Sequence, residues 1–440
     1  MVNQTGTTNM NFMQKRAARE SIEDGATDAG ISNISTGEDN LDVQLAEVAP
    51  LDQQMDQLAG DGEVLAADTE RTEAAIDTAE EALSAGEELP EEELAPAIVA
   101  GESIRRRWKL ETPQVARESF RRGRGLTRSA CEGWKENLKK LWQAFIEMVK
   151  TVIRKAKELK LKYFNVGKSA VKRAKAYEEK LKKLGSKKQK DEISGSFVDK
   201  LSVEGKFDPD QSASIAKDAT SGKAKGAISK LAAQADRAAL FVVSASDGGD
   251  ASFSDPAGAG VELFGTAGTK LRVLPQFDDA SGIDKMQTIM ALPGNAYIQT
   301  ASKTLAIKDG EATLQVVAFT TTGDANDEKN VPTPDAGKLR AATSSLKAIG
   351  ENFEKVLKDF DAYDRELEKL EKAADKASKA FDKATEDGDR TLLSNARTVA
   401  DQAVRNYQAL NRGVQHVGRT VIAGLSGYIG AGIGAYGNSK

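Results

Sequence analysis

The sequence predicts an α+β protein: a disordered acidic N-terminal region, a basic amphipathic helix, a small antiparallel β unit and a C-terminal α-helical hairpin. Three observations predict it. Charge is segregated along the 440 residues: 1–102 hold 4 basic and 24 acidic side chains, 103–190 hold 28 and 8, and the rest hold 30 and 35. Apolar residues recur at spacings of three and four over two long stretches, the mark of amphipathic helices. Between those stretches, runs of β-branched residues are separated by turn dipeptides. The organisation that follows is 1–118 acidic and largely disordered, 119–195 basic and helical, 196–330 β-rich, and 335–440 a helical hairpin with a Gly-rich apolar end.

Residues 1–40 are rich in Asn, Thr, Gly and Ser and lack periodicity, which predicts disorder. Residues 41–90 are helix-prone but poor in core residues, and Glu70 to Glu88, mostly Ala, Glu, Asp and Thr, is expected to form a solvated helix with little to anchor it. Arg121-Arg122-Gly123-Arg124-Gly125 reads as a flexible basic linker. From Trp134 a clear helix starts. Trp134, Leu138, Leu141, Trp142, Phe145, Val149, Val152, Ile153, Ala156, Leu159 and Tyr163 form one face, and Lys dominates the other. Gly185 and Ser186 end it after Lys183. Residues 195–235 mix short apolar runs with Ala-rich helix.

Strands are expected from Ala238, with Leu240 to Ser244 the first. A hairpin is expected from Val261–Phe264 and Leu271–Leu274, and a turn at Pro293-Gly294-Asn295. The best hairpin signal pairs Thr304–Lys308 with Thr313–Phe319 around Asp309-Gly310, a dipeptide that tolerates the positive φ values of a type I′ turn. After Pro334, Leu346, Ile349, Phe353, Val356, Phe360, Tyr363, Leu367, Leu370, Ala374, Ala377, Phe381 and Ala384 make a heptad seam. Asp387-Gly388-Asp389 interrupts it, and a second amphipathic helix follows through Leu410. A short break between two such helices favours an antiparallel hairpin; self-association through the seam as a parallel coiled coil is the second arrangement. Residues 420–438 carry no charge and six Gly, a poor membrane helix and a good surface for close packing.

Composition excludes several chemistries. One Cys cannot form an intramolecular disulfide or a Cys-based zinc site, and one His weakens triad chemistry. The polar first residues, Met1 to Met13, do not read as a secretory signal. Gly432-Ile433-Gly434-Ala435-Tyr436-Gly437 spells G-x-G-x-x-G but lacks the βαβ setting, and Gly167-Lys168-Ser169 has Lys162 where a phosphate-binding loop needs Gly. His416 and Cys131 have no recognisable partners. The residues point to no enzyme and call for no cofactor or metal. The basic helix admits three readings: its cations face nucleic-acid phosphates, it lies on an anionic membrane, or its apolar face packs on the protein itself. The candidate phosphate-facing residues are Arg121, Arg122, Arg124, Lys139, Lys140, Arg154 and Lys155.

The runs Glu118-Ser119-Phe120 and Ala130-Cys131-Glu132-Gly133-Trp134-Lys135-Glu136-Asn137-Leu138-Lys139-Lys140-Leu141-Trp142 resemble the junction in internal head proteins of large tailed bacteriophages. There an acidic propeptide precedes an amphipathic helix bearing Lys and Trp. Lys182 to Glu204, with Phe197-Val198-Asp199-Lys200-Leu201, is also similar. The resemblance implies a non-enzymatic structural protein of the prohead core that is cut by the phage maturation protease. It implies that the protein works with other prohead core or capsid proteins and stays inside the capsid near packaged DNA. It also implies cleavage after Glu in Ser/Ala-x-Glu, which makes Glu118, Glu132 and Glu204 the candidate sites. Charge adds an argument: residues 1–118 carry 9 basic and 26 acidic side chains, so their removal turns a net −5 into +12. The alternative is a membrane-associating protein using the basic helix and the Gly-rich end.

Overall fold

The computed structural model of the protein describes residues 41–86, 106, 126–248, 253, 283–307, 310–321, 329–381 and 387–438. In chain order these form α1 (Leu41–Ala85), α2 (Leu126–Lys182), β1 (Leu184–Lys188), β2 (Glu192–Ser194), α3 (Phe197–Lys200), β3 (Ser202–Val203) and β4 (Lys206–Phe207). Then come α4 (Pro209–Ala219), α5 (Gly222–Ser246), β5 (Ile283–Leu292), β6 (Ala296–Ile307) and β7 (Gly310–Thr321). The chain continues with β8 (Asn330–Pro332), α6 (Ala336–Phe381), α7 (Asp387–Gly434) and β9 (Tyr436–Asn438). This is the expected α+β class, dominated by helices.

Cross-helix pairs fix the directions. Lys135 meets Glu80 and Lys162 meets Glu47, so α1 runs antiparallel to α2. Lys157 meets Glu368 and Lys347 meets Glu178, which sets α6 antiparallel to α2 as well. Tyr363 donates to the carbonyl of Ala403 and Phe353 packs against Gly418, so α6 and α7 form the expected antiparallel hairpin. The heptad-seam residues from Leu346 to Phe381 are all buried, under α2, α5 and α7. The seam therefore finds its partners within the chain, and the parallel coiled coil between copies has no exposed seam to use. Ala384 lies outside the described residues.

Helix α1 differs from the sequence expectation. It is anchored, with Leu41, Val48, Leu51, Met55, Leu65 and Ile76 buried against the bundle. Its apolar residues are few, but each buried aliphatic side chain contributes about 1.5–3 kcal/mol. Leu240 to Ser244 is also corrected: it lies in α5, not in a strand. Ala238, Phe241, Val242 and Ala245 recur at helical spacing and are buried, so packing on α6 and α7 overrides their β preference. The segment 196–330 is accordingly mostly helical through Ser246, broken by the short β3–β4 hairpin, and its three-stranded sheet begins at Ile283.

That sheet has the order β5-β6-β7, all antiparallel. The turn at Pro293-Gly294-Asn295 joins β5 to β6 as expected, and β6 and β7 form the expected hairpin, but Gly310, expected in the turn, opens β7 opposite Ile307 and Thr304 faces Thr313. The expected hairpin at Val261–Leu274 lies outside the described residues. The Gly-rich end is a packing face: Val421, Ile422, Leu425 and Ile429 are buried, while Gly424 and Gly432 admit Leu201 and Leu339 closely. Among the described residues no helix is long and apolar enough to cross a membrane.

Candidate functional site

The segregated charge is resolved as a contact. α1 lays its carboxylates along two basic helices at once. Towards α2, Asp42 meets Arg173 at 2.9 Å, Glu47 meets Lys162 at 2.7 Å and Glu80 meets Lys135 at 2.5 Å. Towards α7, Asp52 pairs with Arg419, Asp56 lies 2.7 Å from Arg412 and Glu80 lies 2.8 Å from Arg390. Burial would raise the Glu80 carboxyl, but the Lys135 hydrogen bond and the Arg390 charge hold it below the usual range. Between these rows run the apolar contacts of α1, so charge sets the register and burial supplies the main attraction.

Asp52 is the inner member. Tyr163 donates to its Oδ1 at 2.8 Å, and burial lifts its carboxyl above the usual range against the pull of Arg419. His416 sits one turn before Arg419, with its Nε2 3.0 Å from the carbonyl of Pro293; burial pushes its pKa down to about 4, so the ring is neutral and donates there. Arg397 is buried with its guanidinium 5.8 Å from the Trp142 ring and 5.9 Å from Phe145, and desolvation lowers its pKa to about 10.

A second polar cluster joins sheet to bundle. β7 is an edge strand, and Asn406 on α7 covers that edge. Asn406 accepts from the Val317 N–H at 2.8 Å and donates to the Gln315 carbonyl at 2.6 Å and to Gln234 Oε1 at 2.9 Å. A third links three helices: Tyr407 donates to Asp364 at 2.5 Å, and Lys160 reaches the other oxygen of Asp364 at 3.1 Å. These arrangements hold helices together. Among the described residues, no group of three or more His, Cys, Asp or Glu is placed to hold a metal ion.

The candidate phosphate-facing residues are dispersed. Lys139 and Lys140 are half-buried, with Lys140 4.0 Å from Glu136. Arg154 is exposed, and Lys155 lies 3.1 Å from Glu158. Arg121, Arg122 and Arg124 lie outside the described residues. The arginines of α7 were missed from sequence. Their signal was Asp52 and Asp56 at i,i+4 facing Arg419 and Arg412 at i,i+7, charged positions beside an apolar face.

The sequence model of the phiKZ-like phage internal head proteins matches residues 45–431, from the first turns of α1 nearly to the end of α7. The chain belongs to this family. It is an internal head protein, a structural component held inside the virion capsid among other head components. Searches of curated proteins and of solved structures find no match. The family match takes in α1, so the acidic helix is part of the internal head protein fold.

The three candidate cleavage positions stand in different settings. Glu118 lies outside the described residues, between α1 and α2. Glu132 is in the second turn of α2. Glu204 has φ 52° and Gly205 has φ 75°, in the two-residue turn joining β3 to β4. The Gly205 N–H donates to Asn295 at 3.1 Å, which holds that turn against the sheet.

Proposed function

We propose that this internal head protein is a prohead-core component cut by the head's maturation protease after Glu118, and that the cut product stays beside packaged DNA. The observation that carries this reading is the acidic helix seated along the basic faces of α2 and α7. A protease engages an extended segment of substrate. Glu132 within a helix and Glu204 within a pinned turn suit that poorly, which favours Glu118. Pairing of α1 with Lys135, Lys162, Arg173, Arg390, Arg412 and Arg419 keeps much positive charge from early contact with polyanions.

Peptide mass spectrometry on protein recovered from purified particles tests the reading. The expected result is a semi-specific terminus at Ser119. A chain in particles that still runs unbroken through Glu118 would overturn it.

A further inference from the structure

We propose that duplex DNA phosphates are met at the far end of α2, by a lysine stripe distinct from the residues the sequence singled out. This inference rests on the DNA part of the function proposed above and names the surface. Lys168, Lys172 and Lys175 follow one another at i, i+4 and i+7, and all three are exposed. That spacing puts them on one line down the helix. Among the described residues they make no ion pair. The stretch 168–190 holds ten basic residues and two acidic ones, Glu178 and Glu179, and both of those are engaged, by Lys347 and Lys182.

The fold extends the patch. The Lys188 ammonium bonds the Thr333 carbonyl, and Thr333 bonds the Lys190 carbonyl, so the chain leaving α2 lies beside the start of α6. Exposed Lys187 and Lys190 thereby join exposed Lys338 and Arg340 at one end of the bundle. Among the described residues, the acids of this end are Asp191, Glu192 and Asp335; the Asp335 carboxylate caps α6 by accepting from the Lys338 N–H at 2.8 Å.

The chemistry favours a duplex. Lysines act as point charges and read no base edges, which suits sequence-independent contact with phosphates. Among the described residues, the patch presents no exposed aromatic ring for stacking unpaired bases. A bilayer is disfavoured because the apolar face of α2, from Leu141 to Tyr163, is already buried under α1, α6 and α7. Among the described residues, the acidic rows of α1 reach α2 at Lys135, Lys162 and Arg173 and not at the stripe, so the full chain should bind without being cut.

The test is fluorescence anisotropy with a mixed-sequence duplex of about 25 base pairs, long enough for the electrostatic footprint, and the full-length protein over a range of NaCl concentrations. Wild type should bind with a linear fall of log K against log salt. K168E/K172E/K175E should bind more weakly, and the triple Lys→Gln variant should reduce the slope by about 2.7, at about 0.9 per phosphate contact. R154E/K155E should match wild type. Circular dichroism melts of each variant check that these changes leave the fold intact. No binding by wild type at 50 mM NaCl would overturn the DNA reading and this inference together. Binding by wild type with an unchanged slope in the Lys→Gln variant would overturn the stripe alone, and loss in R154E/K155E instead would return the contact to the middle of α2.

Discussion

Asn406 meets an edge strand with both ends of its amide. An exposed edge of β7 would invite pairing with another chain, and the amide satisfies Val317 and Gln315 in place of a fourth strand. Asn406→Leu roughly keeps the shape and takes the Asn406 partner from the Val317 N–H and from Gln234 Oε1, while the Gln315 carbonyl still accepts from Gln234 Nε2 at 3.2 Å. It should destabilise the protein by about 2–4 kcal/mol, since two orphaned groups cost about 1–3 kcal/mol each, read as a fall in the denaturant midpoint. His416 offers a pH effect. Its folded pKa, about 4, lies below its ordinary value near 6.5, so folding favours the neutral ring. That stability is complete above about pH 6.5 and is lost as pH falls towards 4. The raised Asp52 carboxyl works in the opposite sense at the low end, because folding favours its protonated form. His416→Gln should therefore flatten the loss between pH 6.5 and 4.5 by about 1–2 kcal/mol, given that the ring is only partly shielded. Denaturant unfolding of both proteins at the two pH values checks it.

At the scale of elements, α2 and α6 cross where neither has a side chain. A Cβ on Gly350 would lie 2.8 Å from the Gly167 carbonyl oxygen, and one on Gly167 would lie 2.9 Å from that of Gly350. The residues that mimic a phosphate-binding loop, Gly167-Lys168-Ser169, thus serve a helix crossing. Gly350→Ala must push the helices apart and should lower stability by about 1–3 kcal/mol, as overpacking does. Gly60→Ala is the contrast. Gly60 is exposed within α1 with nothing near its absent Cβ, so the change should raise stability by up to about 1 kcal/mol. Thermal melts of the two variants should move in opposite directions. The long elements were legible in the sequence because their periodicity persists: the α2 face and the α6 seam form where spacing puts them, and the β6–β7 hairpin forms with Gly310 shifted out of the expected turn into β7. Two were not. α1 carries apolar residues at three and four from Leu41 to Leu58, but its buried face continues in Thr69, Thr72, Ala75 and Ala79, small or polar residues that give little apolar signal. Leu240 to Ser244 carries strand-forming residues whose helical state is set by the groove between α6 and α7, which local sequence does not encode.

At the scale of the molecule, charge segregation was plain from sequence, and its structural meaning was not. Counting charges shows an acidic block beside a basic one; it does not show that Asp52 and Asp56 reach arginines more than 350 positions away on α7. That pairing is tertiary, and so is the choice of which lysines of α2 remain outward. It also changes what cleavage would do. α1 is held by buried side chains and ion pairs on two helices, so a cut between α1 and α2 severs one covalent link and leaves that interface standing. Full-length protein engineered with a foreign protease site at Glu118, then cut, should run as one species in gel filtration at 150 mM NaCl. Separation of the acidic piece on cutting would refute this.

A helix seated in this way has a further consequence for a severed chain. While α1 is tethered, its return to the bundle is unimolecular, at a local concentration that the covalent link sets independently of the protein concentration. Once the tether is gone, return becomes bimolecular, and the stability of the whole follows the law of mass action. In a crowded, closed volume the two pieces remain together. On dilution into a large one they part, and the process does not reverse at low concentration. The same fold would thus be persistent in confinement and perishable outside it, with dilution alone as the trigger.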